Sequence, residues 1–343
     1  MIRIPFAILL LAAAVTAAVC QEERVRIDVI DFFGYSKINL APIRAALPIH
    51  EKTTLTLRSE RDAQDLKDKV KQAVLGISGD SPTDIAFVCC TKQGGWMFYI
   101  GLPGKSYRPF TYKKPPVASI RLPTEGIDVY QKSLDALSQA VQTGGAEDDS
   151  KGYALSTDPT LRAAQLAERR YATNHEQIIR RVLSSSADVP SRQAASALLG
   201  YASQSQGQIN NLVGACRDPD STVRNNALRA LAVVASSSKE MADSIPAKDF
   251  IEMMNSGTWS DRNKGGVLLM QLTTSRNPRV MRELDEDARE SLTEMARWQE
   301  TGHAIPFRVL LGRIAGIDEA RLQKIVYDSD QVETIISALP ARR

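Results

Sequence analysis

Arg217-Asp218-Pro219-Asp220-Ser221-Thr222-Val223-Arg224-Asn225-Asn226-Ala227-Leu228-Arg229-Ala230-Leu231 is the stretch that decides the fold. A proline beside an aspartate, an arginine four residues on, then spaced Ala and Leu describe a helix start and its packed face. Aspartate caps a helix N-terminus, and proline is tolerated in the first turn, where its missing N–H has no intrahelical partner anyway. Related stretches stand upstream: Asp158-Pro159 leads to Arg162, and Asp188 with Pro190 leads to Arg192. Arg192-Gln193-Ala194-Ala195 to Leu198-Leu199 overlies Arg224-Asn225-Asn226-Ala227 to Ala230-Leu231 at a constant shift of 32. Such a period with helical patterning means helix pairs stacked in an array.

Two looser units follow. Arg262-Asn263-Lys264-Gly265 with Leu269 repeats the pattern, with Thr258 in the aspartate's place. The last ends at Leu310-Leu311-Gly312, and Ala304 replaces its arginine. These units resemble HEAT repeats, in the short form found in bacterial HEAT-like proteins. The resemblance implies an all-α solenoid, an ARM-type superhelix, over residues 153–343. It also implies a non-catalytic scaffold or adaptor that needs no cofactor. Its partner would be a protein, held on a concave face lined by the second helix of each pair.

An arginine one turn beyond its aspartate lies on the same helix face and can pair with it. Stacking would then bring Asp158, Arg162, Asp188, Arg192, Asp220, Arg224 and Arg262 into a ladder. The expected role of that ladder is structural, joining repeat to repeat, rather than gripping an acidic ligand.

The chain opens differently. Arg3 precedes an apolar run from Phe6 to Val19 that ends in small residues, the pattern of a secretory signal peptide over residues 1–20. Cleavage after Ala17 or after Cys20 suits the small-residue requirement. Lipidation at Cys20 is the lesser reading, because Val19 precedes it. Export, most simply to the periplasm, is the expected localisation. No later stretch reaches the ~20 apolar residues of a membrane span. The net charge of +3 carries no nucleic-acid footprint.

Residues 24–102 read as a small α/β module: a strand with Val25, Ile27 and Val29 on one face, two helices, then a hairpin. The first helix runs from Asn39 to Leu47. The hairpin joins Ile85–Cys90 to Trp96–Leu102 through Lys92-Gln93-Gly94-Gly95. This order, with Phe33-Gly34 closing the first strand and Ile43-Arg44-Ala45-Ala46-Leu47-Pro48 in the first helix, resembles a POTRA-type domain. That resemblance implies binding of partner chains by a lent sheet edge. A proline-rich, basic-aromatic linker at 103–126 is expected to extend along this module. Ile127, Tyr130, Leu134, Leu137 and Val141 mark an amphipathic helix, and 127–152 comprises that helix and a polar break.

Little carries chemistry. His50, His175 and His303 fall in three separate elements, with no metal-ligand spacing around them. After His175-Glu176, Ile179 occupies the place of a second zinc-binding histidine. Ser236 and Lys239 match Ser-x-x-Lys by chance. Cys89 and Cys90, adjacent in a strand, should point to opposite faces, and Cys216 reads as core. The alternative to a scaffold is an envelope enzyme whose site lies in the α/β module, with Cys89, Cys90 or His50 as its actors.

Overall fold

In chain order the elements of the computed structural model are β1 (Glu23–Phe33), α1 (Leu40–Ala46), β2 (Thr54–Leu57), α2 (Glu60–Ser78), β3 (Asp84–Cys89) and β4 (Trp96–Gly101). Then come α3 (Thr124–Thr143), β5 (Glu147–Asp148), β6 (Leu155–Ser156), α4 (Pro159–Ser185), α5 (Val189–Leu199), α6 (Gln206–Ala215) and α7 (Ser221–Ser237). The chain closes with α8 (Lys239–Asp243), α9 (Lys248–Met253), α10 (Trp259–Leu272), α11 (Pro278–Ala296), α12 (Thr301–Ile314), α13 (Glu319–Ile325) and α14 (Val332–Ser337). The structure describes residues 23–143 and 146–341. The signal peptide expected at 1–20, with Cys20, lies outside them. An α+β N-terminus therefore precedes a long all-α region. No helix among the described residues is long and apolar enough to cross a membrane.

Two compact units divide these elements, and neither is continuous in sequence. One holds residues 23–110, 251–263 and 276–341; the other holds 111–143, 146–250 and 264–275.

The first unit is built on a four-stranded sheet in the order β2-β1-β4-β3. β1 and β4 are parallel, while β2 and β3 pair antiparallel with them. β2 was not expected. Its alternating Thr-Leu-Thr-Leu follows a turn in which Lys52 takes a positive φ of 65°, so the strand order gains one member between the helices. Central strands buried on both faces read as near-continuous apolar runs. β4 does so, and β1 is buried from Val29 to Phe33 rather than on one face only. Ile30, Phe32, Phe98 and Ile100 form one core with Ile43 of α1 and Val70 and Val74 of α2. Alternation sends Phe33 and Tyr99 to the other side. There Trp298 lies edge-on to Phe33 and donates its Nε1–H to the Phe32 carbonyl at 3.0 Å. The C-terminal helices are thus the second cover of the N-terminal sheet.

In the second unit α3 lies across α4 and α5, α5 packs on α7, and α6 on α4 and α7. α4 bends at His175, whose backbone leaves helical values (φ −125°, ψ 21°). Helix starts are capped as the sequence predicts: Asp158, Asp188 and Asp220 accept the amides of Leu161, Ser191 and Val223 at 2.8, 3.0 and 3.0 Å. Asp188→Ala and Asp220→Ala should each lower unfolding stability by ~1 kcal/mol, read from urea midpoints.

The proline-rich stretch divides between the units. Residues 103–110 stay with the sheet, whereas 111–123 run extended along helix starts in the second unit. Lys113 N–H donates to the Arg217 carbonyl at 2.7 Å, and Ala118 exchanges backbone bonds with Ser185 and Ala187. Leu122 N–H meets Ser191 Oγ at 3.1 Å.

Candidate functional site

Each repeated arginine reaches back to the carbonyl six residues before it. Arg162 donates to Ser156 O at 3.4 Å, Arg192 to Ser186 O at 2.9 Å, Arg224 to Asp218 O at 2.8 Å and Arg262 to Ser256 O at 2.7 Å. The side chain at that sixth position in turn accepts the amide two residues later. Ser156, Ser186, Asp218 and Ser256 take the N–H of Asp158, Asp188, Asp220 and Thr258 at 3.0, 3.1, 2.9 and 3.3 Å. A serine or aspartate, the residue two places on and an arginine therefore form one hydrogen-bonded turn, made four times. It satisfies backbone groups that a helix start leaves without intrahelical partners.

The pairing expected within a repeat goes elsewhere. Arg192 binds both carboxylate oxygens of Asp218, in the next repeat, at 2.9 and 3.1 Å. Asp188 instead stands 3.4 Å from Arg121. Arg224 lies over the Tyr112 ring with its guanidinium carbon 4.0 Å from the centroid. Arg262 lies 5.0 Å over Phe33, with Glu294 at 3.8 Å, and burial pulls its pKa down to about 10. Arg162 is exposed while the other three are buried. Such contacts hold turns in place.

A group of buried ionisable side chains lies apart from the repeated turns. In the second unit β5, α3, α4, the turn after α5, α7 and the second turn of α10 each contribute to it. Glu147 of β5 receives Arg229 Nη2 on both oxygens at 2.6 Å, and Gln165 Nε2 at 2.8 Å. Ser133 Oγ donates to Glu168 at 2.9 Å. The Tyr201 hydroxyl stands between Glu168 and Arg229. Removing a carboxyl from water penalises its charged form. Burial accordingly raises Glu168 to about 8, although Ser133, Arg229 and Tyr201 all favour its charge. Burial, followed by the like charge of Arg229, lowers Lys264 to about 7. Arg229 is raised, first by Glu147. Its side chain keeps 29% of its exposure while Glu168 and Lys264 keep 2% and 3%, so solvent reaches the cluster from the Arg229 side.

A proton-holding acid and a lysine titrating near neutrality are the raw material of acid–base chemistry. What the arrangement does on its own terms is bind the β5–β6 hairpin and α3 to α4 and α7.

The other candidates are dispersed. His50 is exposed in a turn, and His175 Nδ1 meets its own helix at Tyr171 O, 3.0 Å away. His303 is buried with Nδ1 2.6 Å from the Tyr99 hydroxyl. Ser236 donates to Asp149 while Lys239 pairs with Asp243, so Ser-x-x-Lys is not assembled. Cys216 is buried. Cys89 and Cys90 depart from expectation. β3 ends at Cys89, the strand alternation stops there, and the two sulfurs are joined as a disulfide. No group of three or more His, Cys, Asp or Glu side chains among the described residues is placed to hold a metal ion.

A signal for the cluster existed. In α4 the buried stripe runs Leu161, Gln165, Glu168, Ala172, Ile179, so two polar residues sit at core positions of the 3.6 period. Against known proteins, no family model matches this chain and no characterised protein is similar to it at a significant level.

Proposed function

We propose that this chain is an exported, non-catalytic, HEAT-like repeat protein that holds a protein partner on the face of α5 and α7. The observation that carries this reading is the hydrogen-bonded turn built in the same way at Arg162, Arg192, Arg224 and Arg262. Repetition of one local hydrogen-bonded turn at four helix starts, and not merely of sequence, is in keeping with a repeat architecture, and repeat arrays offer extended surfaces to other chains. The side of α5 and α7 on which Asn226 meets Tyr130 of α3 and Arg229 meets Glu147 of β5 also carries Gln193, Ala197 and Val233, all half-buried, a mixed polar and apolar surface suited to a protein. The apolar run of residues 6–19 supports export to the periplasm.

A photo-crosslinking residue at Ala197 or Val233 of the full chain, expressed in its own cells, should give a discrete protein adduct. The same residue at exposed Lys248 should not. Equal labelling at all three positions, or none, would remove the partner. Mass spectrometry of the recovered chain should show it starting at Ala18 or Gln21, and an unprocessed Met1 would sink the export reading.

A further inference from the structure

We propose that the face built by α4, α5 and α7 is a helix-binding surface, that α3 is its resident occupant, and that the partner is an amphipathic helix of α3's kind which takes its place. The inference rests on the partner-binding reading above.

α3 is seated by its small residues. Gly126, Ser133, Ala136, Leu137 and Ala140 are buried, whereas Ile127, Tyr130, Leu134 and Val141 are only half-buried. The buried stripe is therefore turned by about one residue, roughly 100°, from the apolar stripe. A helix packed purely as core turns its large side chains inward, and burial stabilises in proportion to the apolar area removed from water. α3 thus gains less from this face than its own composition offers.

Its fit is also incomplete on the other side. Tyr171 of α4 is 4% exposed, and its hydroxyl makes no hydrogen bond. The hydroxyl is aimed at Gly126, where an added Cβ would stand 2.6 Å away. A glycine can offer that oxygen no side-chain partner, whereas a buried hydroxyl normally has one. A helix presenting a donor or acceptor beside Tyr171 would bind where α3 leaves the group unmet. Beyond it, Ser133 of α3 closes over the Glu168 carboxyl, which burial keeps protonated.

Tethering explains why so imperfect an occupant stays. α3 is joined at both ends to the same chain, which raises its effective concentration at the face far above that of a free helix. A competitor must then bind better than α3, and the unmet Tyr171 hydroxyl and the misplaced apolar stripe leave room for that.

Two measurements on the full chain test this. By hydrogen exchange, α3 amides should be at least about 100-fold less protected than those of α7, because α3 opens without global unfolding. A labelled peptide of residues 124–143 should bind the Gly126→Ala chain about tenfold tighter than wild type, since the new methyl disturbs the resident helix and leaves the face intact. Exchange of α3 and α7 at one common rate set by global unfolding would overturn the proposal, as would failure of the peptide to bind a folded Gly126→Ala chain. Should that variant not fold, the wild-type exchange rates decide alone. Peptide binding without protein adducts at positions 197 and 233 would uphold α3 as a replaceable occupant and sink the partner reading.

Discussion

Glu168→Gln is expected to raise the thermal midpoint at pH 8 and to leave it nearly unchanged at pH 4.5. The folded chain holds the Glu168 proton to about 8, against an ordinary value of 4.5. The folded state therefore binds the proton more tightly than the unfolded chain. The contribution of a protonated Glu168 is complete below 4.5, shrinks as pH rises, and is gone above about 8. At neutral pH the mismatch costs on the order of 3 kcal/mol, at 1.36 kcal/mol per unit of pKa. Glutamine carries no charge to desolvate and keeps an amide for Ser133, so most of that cost should vanish, a gain of several degrees. Lys264 runs the other way. Its pKa is lowered from 10.5 to about 7, so the folded state binds the proton less tightly. Stability is lowest below about 7 and recovers as pH climbs towards 10.5. Lys264→Met should therefore stabilise at pH 6 and do little at pH 10. Melting curves of both variants across pH 4.5–10 check the signs, and parallel curves for wild type and Glu168→Gln would show that folding leaves the carboxyl's pKa where the unfolded chain has it.

Arg192→Leu should cost about 3–5 kcal/mol, the loss expected when one partner of a buried ion pair is removed and the other stays. Asp218 would then keep its charge in a site where only the Asp220 amide remains on the same oxygen, at 2.9 Å. Arg192→Leu with Asp218→Asn should recover much of the loss, because the asparagine oxygen still accepts that amide without a charge. Arg162→Leu, the same substitution in the same motif, should cost under about 1 kcal/mol, since Arg162 is exposed and holds one long bond. Urea midpoints of the four proteins decide it. Equal costs at 162 and 192 would mean that the shared turn, and not the buried pair, sets the energy.

These two cases show what sequence could and could not disclose. The caps at Asp158, Asp188 and Asp220 are local, each closing on an amide three residues ahead, and local spacing reveals them. Where the arginines go depends on a carbonyl six residues back and, for Arg192, on a residue 26 positions ahead, which no helical period contains. β2 was hidden by its brevity, four residues being too few for a pattern to outweigh the turn beside it. Glu168 is legible as an acid on an apolar stripe, but charged residues usually face water, so the stripe alone does not mark it as buried. The first turns of α10 gave no warning at all. Ser260, Asp261, Arg262, Asn263 and Lys264 are five successive polar residues, all buried, a pattern that only the finished surroundings make tolerable.

The division of the sheet-bearing unit between both ends of the chain also governs how the molecule is made. Phe33 and Tyr99 leave the ribosome 265 and 204 residues ahead of Trp298 and His303, the groups that will shelter them. Until those arrive, one side of the sheet meets water. Native pairing across so long a separation is slow, and exposed apolar strands are prone to stick to their neighbours in the interval. The N-terminal segment cannot mature on its own and wait. It needs the whole polypeptide before it can settle, so truncation at either end would leave an orphaned sheet or orphaned helices, each in want of protection by a chaperone.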